Sequence, residues 1–343
     1  MARIALVCEP PDGGVAEHVA QLAAGLCEHG HEPVVFDSRR LPFRRDYAHP
    51  HRDLQALGAL TRALRGFDLV HAHAAKAGVV GRLAARLRGL PAVYTPHCFP
   101  FVGEISAARN RFGLESERAL AGHTAALICV CEDERNVAIA HGIKPAQLQV
   151  VHNGCPPCSA PRPDGLVVGA VTVLRRQKRL DVLLEAAPRI LDAVPGATVK
   201  IAGDGPEGPA LRAMADPRVV FEPFRGRAAD HLRELAVYVL PSSWEAFPIG
   251  VLEAMACGVP QVATDVGGTR EAVQPESGIL IPPRDATALA DKHVAEPRAA
   301  VASDIAVLRS VPQLAAAFRL TGVVYDVDTG RIDIVHSEVK EPA

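Results

Sequence analysis

The chain has 343 residues, 48% of them hydrophobic, which suits two domains with ample cores. Its formal net charge of −2 leaves no electrostatic footprint for a nucleic acid. No run approaches the roughly 20 apolar residues that cross a bilayer. The start, Met1-Ala-Arg-Ile-Ala-Leu-Val-Cys8, enters a short strand without the long apolar core and cleavage site of a signal peptide, so a cytoplasmic protein is expected.

Apolar runs predict strands at 3–8, 33–37, 68–72, 91–95, 125–130 and 148–152, with amphipathic or Ala/Leu-rich helices between most of them. Such alternation argues for a parallel sheet covered on both faces. Residues 156–165 hold four prolines and little apolar content, which reads as a linker. A second alternation follows, with strands near 167–173, 197–202, 218–221, 237–240, 260–263 and 278–281. The expected domains are thus 1–155 and 166–290, followed by an atypical tail at 291–343. The tail reads as a helix near 296–311 and then two β-rich runs flanking Asp328-Thr-Gly330, a hairpin pattern. Asp326-Val-Asp328 within it imitates a metal-binding Asp-x-Asp, but a turn role suits its position better.

Glu245 and Glu253 are the most informative pair. They follow the strand Val237-Tyr-Val-Leu240, and the stretch from Ile249 to Cys257 reads as a helix with Val251, Leu252, Met255 and Ala256 at helical spacing. Glu245 then lies in the strand-to-helix loop and Glu253 on the first turns of the helix. Backbone N–H groups at a helix N-terminus favour an anion such as a sugar-nucleotide diphosphate. The two carboxylates would stand at its sides, placed to grip hydroxyls. Spacing alone does not separate this arrangement from two solvated glutamates.

The remaining motifs each carry two readings. Gly13 and Gly14 open the first helix and let backbone approach a ligand, or simply make a turn. His71, His73 and His97 stand at strand ends; His71 and His73 lack a third metal ligand in sequence, and His97 suits hydrogen bonds to a sugar or phosphate. Cys8, Cys27 and Cys257 fall in apolar segments and are expected as buried thiols. Cys129-Val-Cys131 and Cys155-Pro-Pro-Cys158 offer four thiols for zinc, but nothing in the sequence brings the two pairs together. Gly203-Asp-Gly-Pro-Glu-Gly208 matches the G-x-G-x-x-G of dinucleotide sites, with Glu222 where a ribose-binding acid belongs, yet Pro206 interrupts it. Arg39-Arg-Leu-Pro-Phe-Arg-Arg45 is either a solvated loop or a contact with anionic lipid through Arg39, Arg40, Arg44 and Arg45.

Pro241-Ser-Ser, Glu245-Ala-Phe-Pro, Leu252-Glu-Ala-Met-Ala-Cys-Gly-Val-Pro260 and Thr264-Asp-Val-Gly-Gly-Thr-Arg-Glu271 together resemble the retaining glycosyltransferases of family 4. The resemblance runs from near the N-terminus to about residue 290. It implies a GT-B α/β fold, two doubly wound Rossmann-like domains facing a cleft. It also implies transfer of a sugar from a UDP- or GDP-linked donor to a hydroxyl acceptor, with no cofactor and no metal. By the same resemblance Glu245 and His97 are catalytic. Gly13, Gly14, Lys178, Phe247, Pro248, Ile249 and Glu253 bind the donor, Glu253 at the ribose. Val173 departs from the family pattern, which has an arginine there for the diphosphate; Arg175 and Arg176 are near in sequence. The Gly203–Gly208 turn resembles a family turn that binds no NAD. The tail resembles the end of β-class carbonic anhydrases, without their zinc-binding part. A sugar-nucleotide epimerase of the same architecture and a catalytically impaired nucleotide-sugar-binding protein are the rival readings.

Overall fold

The computed structural model describes residues 1–9, 13–43, 49–103, 106–158, 165–275, 277–294, 322–326 and 331–336. The helix expected near 296–311, the 328–330 turn, Arg44, Arg45 and most of the 156–165 linker lie outside the described residues.

The described chain forms two compact units. The first takes Met1–Cys158 together with Ser243–Ala256 and Val266–Ala272, and the second takes the rest.

The first unit holds β1 (Arg3–Cys8), β2 (Glu32–Phe36), β3 (Leu69–His73), β4 (Ala92–Thr95), β5 (Ala126–Cys129) and β6 (Leu148–Val150). They form one parallel sheet in the order β2-β1-β3-β4-β5-β6. Helices α1 (Gly13–Glu28), α2 (Pro50–Ala63), α3 (Ala75–Arg88), α4 (Ala107–Ala121) and α5 (Glu132–Ala140) connect them. β1 shows why the strands read as continuous apolar runs. Ala5 and Val7 enter one core while Ile4, Leu6 and Cys8 enter another with Val19 of α1, so both faces are covered. Strand order reverses between β1 and β3, and the crevice beyond their carboxyl ends is the expected ligand position in such a sheet.

One ion pair is sealed inside this unit. Arg82 Nη2 donates to Glu117 Oε2 at 2.8 Å, with both side chains 0% exposed. The Tyr94 hydroxyl donates to Glu117 Oε1 at 3.1 Å, and the guanidinium stacks on the Tyr94 ring at 3.9 Å.

The second unit holds β7 (Val167–Val171), β8 (Thr198–Ala202), β9 (Val220–Glu222), β10 (Val237–Leu240), β11 (Gln261–Thr264) and β12 (Gly278–Ile281), parallel in the order β12-β11-β10-β7-β8-β9. Its helices are α6 (Leu180–Ala193), α7 (Gly208–Met214) and α8 (Ala228–Leu232). The later segments add α9 (Ile249–Ala256) and α10 (Thr269–Ala272) to the first unit and α11 (Ala286–Val294) to the second. The switch in strand order falls between β7 and β10. The two runs expected to form a hairpin are β13 (Gly322–Asp326) and β14 (Arg331–His336), paired antiparallel.

Candidate active site

The loop carrying Glu245 is fixed from three sides within the first unit. Asn153 Nδ2 donates to the Phe247 carbonyl oxygen at 2.9 Å, and the Cys131 thiol donates to that of Ala246 at 3.2 Å. The third side is the Gly267-Gly268 turn. A Cβ on Gly267 would lie 2.0 Å from the Glu245 carbonyl oxygen, and one on Gly268 would lie 1.9 Å from that of Ala246. Gly267 also has a φ of 49°, which glycine adopts without strain. The His152 ring lies parallel to Phe247 at 4.6 Å. Glu271, just beyond this turn, accepts from the backbone N–H groups of Glu132 and Asp133 at 2.8 and 2.9 Å, capping α5. Phe247, Pro248 and Ile249 are buried and lead directly into α9.

Glu245 lines a crevice with Cys98, Asp133 and Glu134. Glu134 is buried and accepts from the Cys98 and Val130 N–H groups at 2.7 and 2.8 Å. Burial nevertheless pushes its carboxyl up to about 7, against the lowering by those two bonds. Glu253 lies on the second turn of α9, half-buried, and is also pushed up to about 7, chiefly by burial and then by Glu17. Gly14 opens α1 against the same helix: its Cβ position is 3.6 Å from Ile249 Cδ1. Gly13 has a φ of 79° at the start of α1.

His97 occupies a turn after β4 with two successive left-handed residues, His97 (φ 51°) and Cys98 (φ 91°). Each such residue costs on the order of 1–3 kcal/mol, and the Cys98–Glu134 bond helps hold the turn. The turn places His97 Nε2 3.2 Å from His73 Nδ1, with the His18 ring of α1 edge-on to His97 at 4.7 Å. His71 Nε2 meets Thr95 Oγ1 at 2.9 Å. Burial, the largest cause in each case, holds all four imidazoles below their usual range, so they stay neutral near pH 7. Of the His-x-His pair that lacked a third partner in sequence, His73 thus meets His18 and His97 in space, while His71 turns to Thr95. Ligand atoms of His18, His73 and His97 all lie within 4.8 Å of one another.

Lys178 belongs to the second unit, half-buried in a short 3-10 turn, Arg176–Lys178, between β7 and α6. The G-x-G-x-x-G glycines are used for packing. Cβ atoms on Gly203 and Gly205 would lie 1.9 Å from the Thr172 carbonyl oxygen and 2.4 Å from that of Leu174, so the turn supports the Val173 loop. Glu222 is paired to Lys200 at 2.8 Å.

The cysteine and basic-loop readings change. Cys8 is buried as expected, but Cys27 is exposed. Cys158 and Cys257 are disulfide-bonded, which removes Cys158 from a four-thiol zinc site. Cys131 serves as the N-cap of α5, where its sulfur accepts from Glu134 N at 3.3 Å. In the basic loop Leu41 and Phe43 are buried in the core, and Arg39 is tied to Asp37 at 2.8 Å. Arg39 and Arg40 are both exposed, as either a solvated loop or a lipid contact requires.

Sequence reasoning missed His18, Glu134, Asn153 and Gly267-Gly268 as site-forming groups. The Gly-Gly pair had a local signal; the others reach the site through partners distant in sequence, Glu134 with a local bond from Val130 N–H besides.

Comparison with known structures decides the architecture. Sucrose-phosphate synthase from Thermosynechococcus elongatus superposes with a TM-score of 0.72 at 20% identity, covering 92% of this chain and 91% of that one. The protein has the GT-B fold. Anabaena HepE in complex with UDP and glucose, also GT-B, superposes equally well, at 0.72 and 19% identity, over 93% of this chain and 100% of that one. Residues 12–157 match the family model "Glycosyltransferase Family 4", and residues 162–295 match "Glycosyl transferases group 1". Among curated relatives, an Escherichia coli UDP-Gal:alpha-D-GlcNAc-diphosphoundecaprenol alpha-1,3-galactosyltransferase is 28% identical over 67% of this chain and 67% of its own length. A Nocardiopsis dassonvillei D-inositol 3-phosphate glycosyltransferase is 32% identical over 67% of this chain and 63% of its own length. A Streptomyces bingchenggensis protein of the same name is matched over only 56% of its length, so this GT-B chain spans little more than half of some relatives.

Proposed function

We propose that this chain transfers a sugar from a nucleotide-diphosphate donor to a hydroxyl acceptor with retention of configuration. The observation that carries the reading is the Glu245–Glu253 pair on a pinned strand-to-helix loop, inside a segment that matches a glycosyltransferase model. In the reaction the bond between the anomeric carbon and the diphosphate oxygen breaks, and the acceptor oxygen takes its place on the same face. The acceptor proton passes to the departing phosphate. Glu245 steadies developing positive charge at the anomeric carbon. Backbone N–H groups at the start of α9 and Lys178 neutralise the diphosphate, so no metal is assigned a step. His97, neutral, donates or accepts hydrogen bonds at the sugar or phosphate. Glu253 accepts from the ribose hydroxyls. Gly13 and Gly14 let the α1 turn approach the donor.

UDP is the favoured nucleotide, since it is named in the E. coli relative and in the HepE complex. The same E. coli relative has a diphosphoundecaprenol acceptor by name. That favours a lipid-linked acceptor for this chain, used at a cytoplasmic membrane face. No described helix is long and apolar enough to cross a membrane. The carbonic-anhydrase-like tail is assigned no step.

Product analysis with UDP- and GDP-sugars, with and without lipid-linked acceptors and with EDTA present, tests this. The expected result is acceptor-dependent release of UDP and an α-linked product from an α-linked donor, undiminished by EDTA. Acceptor-independent release or rearrangement of the donor would favour an epimerase; donor binding without any turnover would favour a binding protein. An inverted product would overturn retention.

A further inference from the structure

We propose that His18, His73 and His97 bind one transition-metal dication, with zinc as the reference ion. The three rings come from separate elements: α1, the end of β3 and the turn after β4. Their ligand atoms nonetheless lie within 4.8 Å of one another. Zinc–imidazole bonds are about 2.0–2.1 Å long, so two nitrogens on one tetrahedral zinc are about 3.3 Å apart. His73 Nδ1 and His97 Nε2 stand at 3.2 Å, already at that edge length. His73 is 0% exposed; its Nδ1 faces His97, and its other nitrogen, Nε2, has no hydrogen-bond partner, so no described protein group competes with the trio for this ring. His18 and His97 are half-buried, which leaves an approach from solvent.

The donor set selects the ion. Three imidazoles with no carboxylate or thiolate among them suit zinc, copper or nickel and disfavour magnesium and calcium. Three protein ligands leave a fourth position for water or an anion. Occupation of the site engages His97, so zinc is expected to inhibit. That consequence rests on the proposed transfer reaction; the binding does not.

Titration calorimetry of the full chain with zinc chloride, without donor, tests the site. Wild type is expected to bind one equivalent. His18→Gln, a change on a half-exposed helix position that leaves the core intact, is expected to bind at least about tenfold more weakly, the loss seen even when outer-shell partners are removed. His123→Gln, at an exposed histidine between α4 and β5, is expected to match wild type, and magnesium chloride to give no binding. Cobalt(II) is expected to give the intense visible bands of tetrahedral coordination in wild type and to lose them in His97→Gln. Equal zinc affinity in wild type and His18→Gln, an equal loss in His123→Gln, or no zinc binding by wild type would overturn the proposal, whether or not the chain transfers sugar.

Discussion

Gly268 and Ala246 meet backbone to backbone: a Cβ on the glycine would lie 1.9 Å from the alanine carbonyl oxygen. No side chain fits there, so Gly268→Ala must displace the Glu245 loop. A displacement of about 1 Å at a reacting group costs on the order of 100-fold in rate. We expect turnover to fall by about that factor while far-UV circular dichroism stays unchanged. Initial rates beside the spectrum check this, and full activity in the variant would contradict the pinned-loop account.

The two glutamates are expected to separate binding from turnover. Glu253→Ala removes charge-assisted bonds to ribose, each worth about 1.5–3 kcal/mol, and weakens donor affinity. Glu245→Gln keeps the shape but loses a charge that matters most in the transition state, so kcat falls with little change in donor Kd. Calorimetry with UDP-sugar and initial-rate kinetics measure the two effects; wild-type values for both variants would sink the assignment.

Glu134 and Glu253 are each expected to contribute a stability that falls as pH rises through about 4.5–7, against the opposite slope of His18, His71, His73 and His97, whose lowered values cost stability as pH falls below about 6.5. The carboxyls of Glu134 and Glu253 are both raised to about 7, burial being the largest cause. The folded chain therefore keeps protons that the unfolded chain has already released in that window, and each adds a negative slope that levels off above it. Glu253→Gln removes one contribution, so its Tm is expected to gain on wild type between about pH 5 and about pH 8. A constant difference across that series would show that Glu253 does not titrate as described.

Glu117→Leu is expected to cost about 3–5 kcal/mol, because it strands the buried Arg82 charge. The double change Arg82→Met with Glu117→Leu removes both charges and is expected to recover much of that loss. Urea unfolding of Glu117→Leu, Arg82→Met and the double variant beside wild type measures the coupling, and a harmless Glu117→Leu would refute the sealed ion pair.

The sheets were legible because their strands are buried on both faces. Each of the twelve expected strands overlaps an observed one, and those at Arg3–Cys8, Val237–Leu240 and Gly278–Ile281 coincide end to end. The helix expected from Ile249 ends one residue short of Cys257. The site was legible only where it is local, as at Glu245, Glu253 and the glycine turns. Asn153 meets Phe247, and Glu134 meets the Cys98 amide, across long stretches of chain that no periodicity reveals. G-x-G-x-x-G misled in the opposite sense. Glycine was required, but by the carbonyls of Thr172 and Leu174.

The composition of the first unit sets an order on biosynthesis. Its sheet is complete by residue 158, yet it also needs residues 243–256 and 266–272. On a ribosome adding roughly 5–20 residues per second, the intervening residues 159–242 take about 4–17 s to appear. Throughout that interval the nascent first sheet exists without the chain that supplies the partners of Asn153, Cys131 and the α5 N-terminus. The glutamate loop is therefore among the last parts of that unit to be put in place, and an early stop in translation leaves a sheet with an unfinished site.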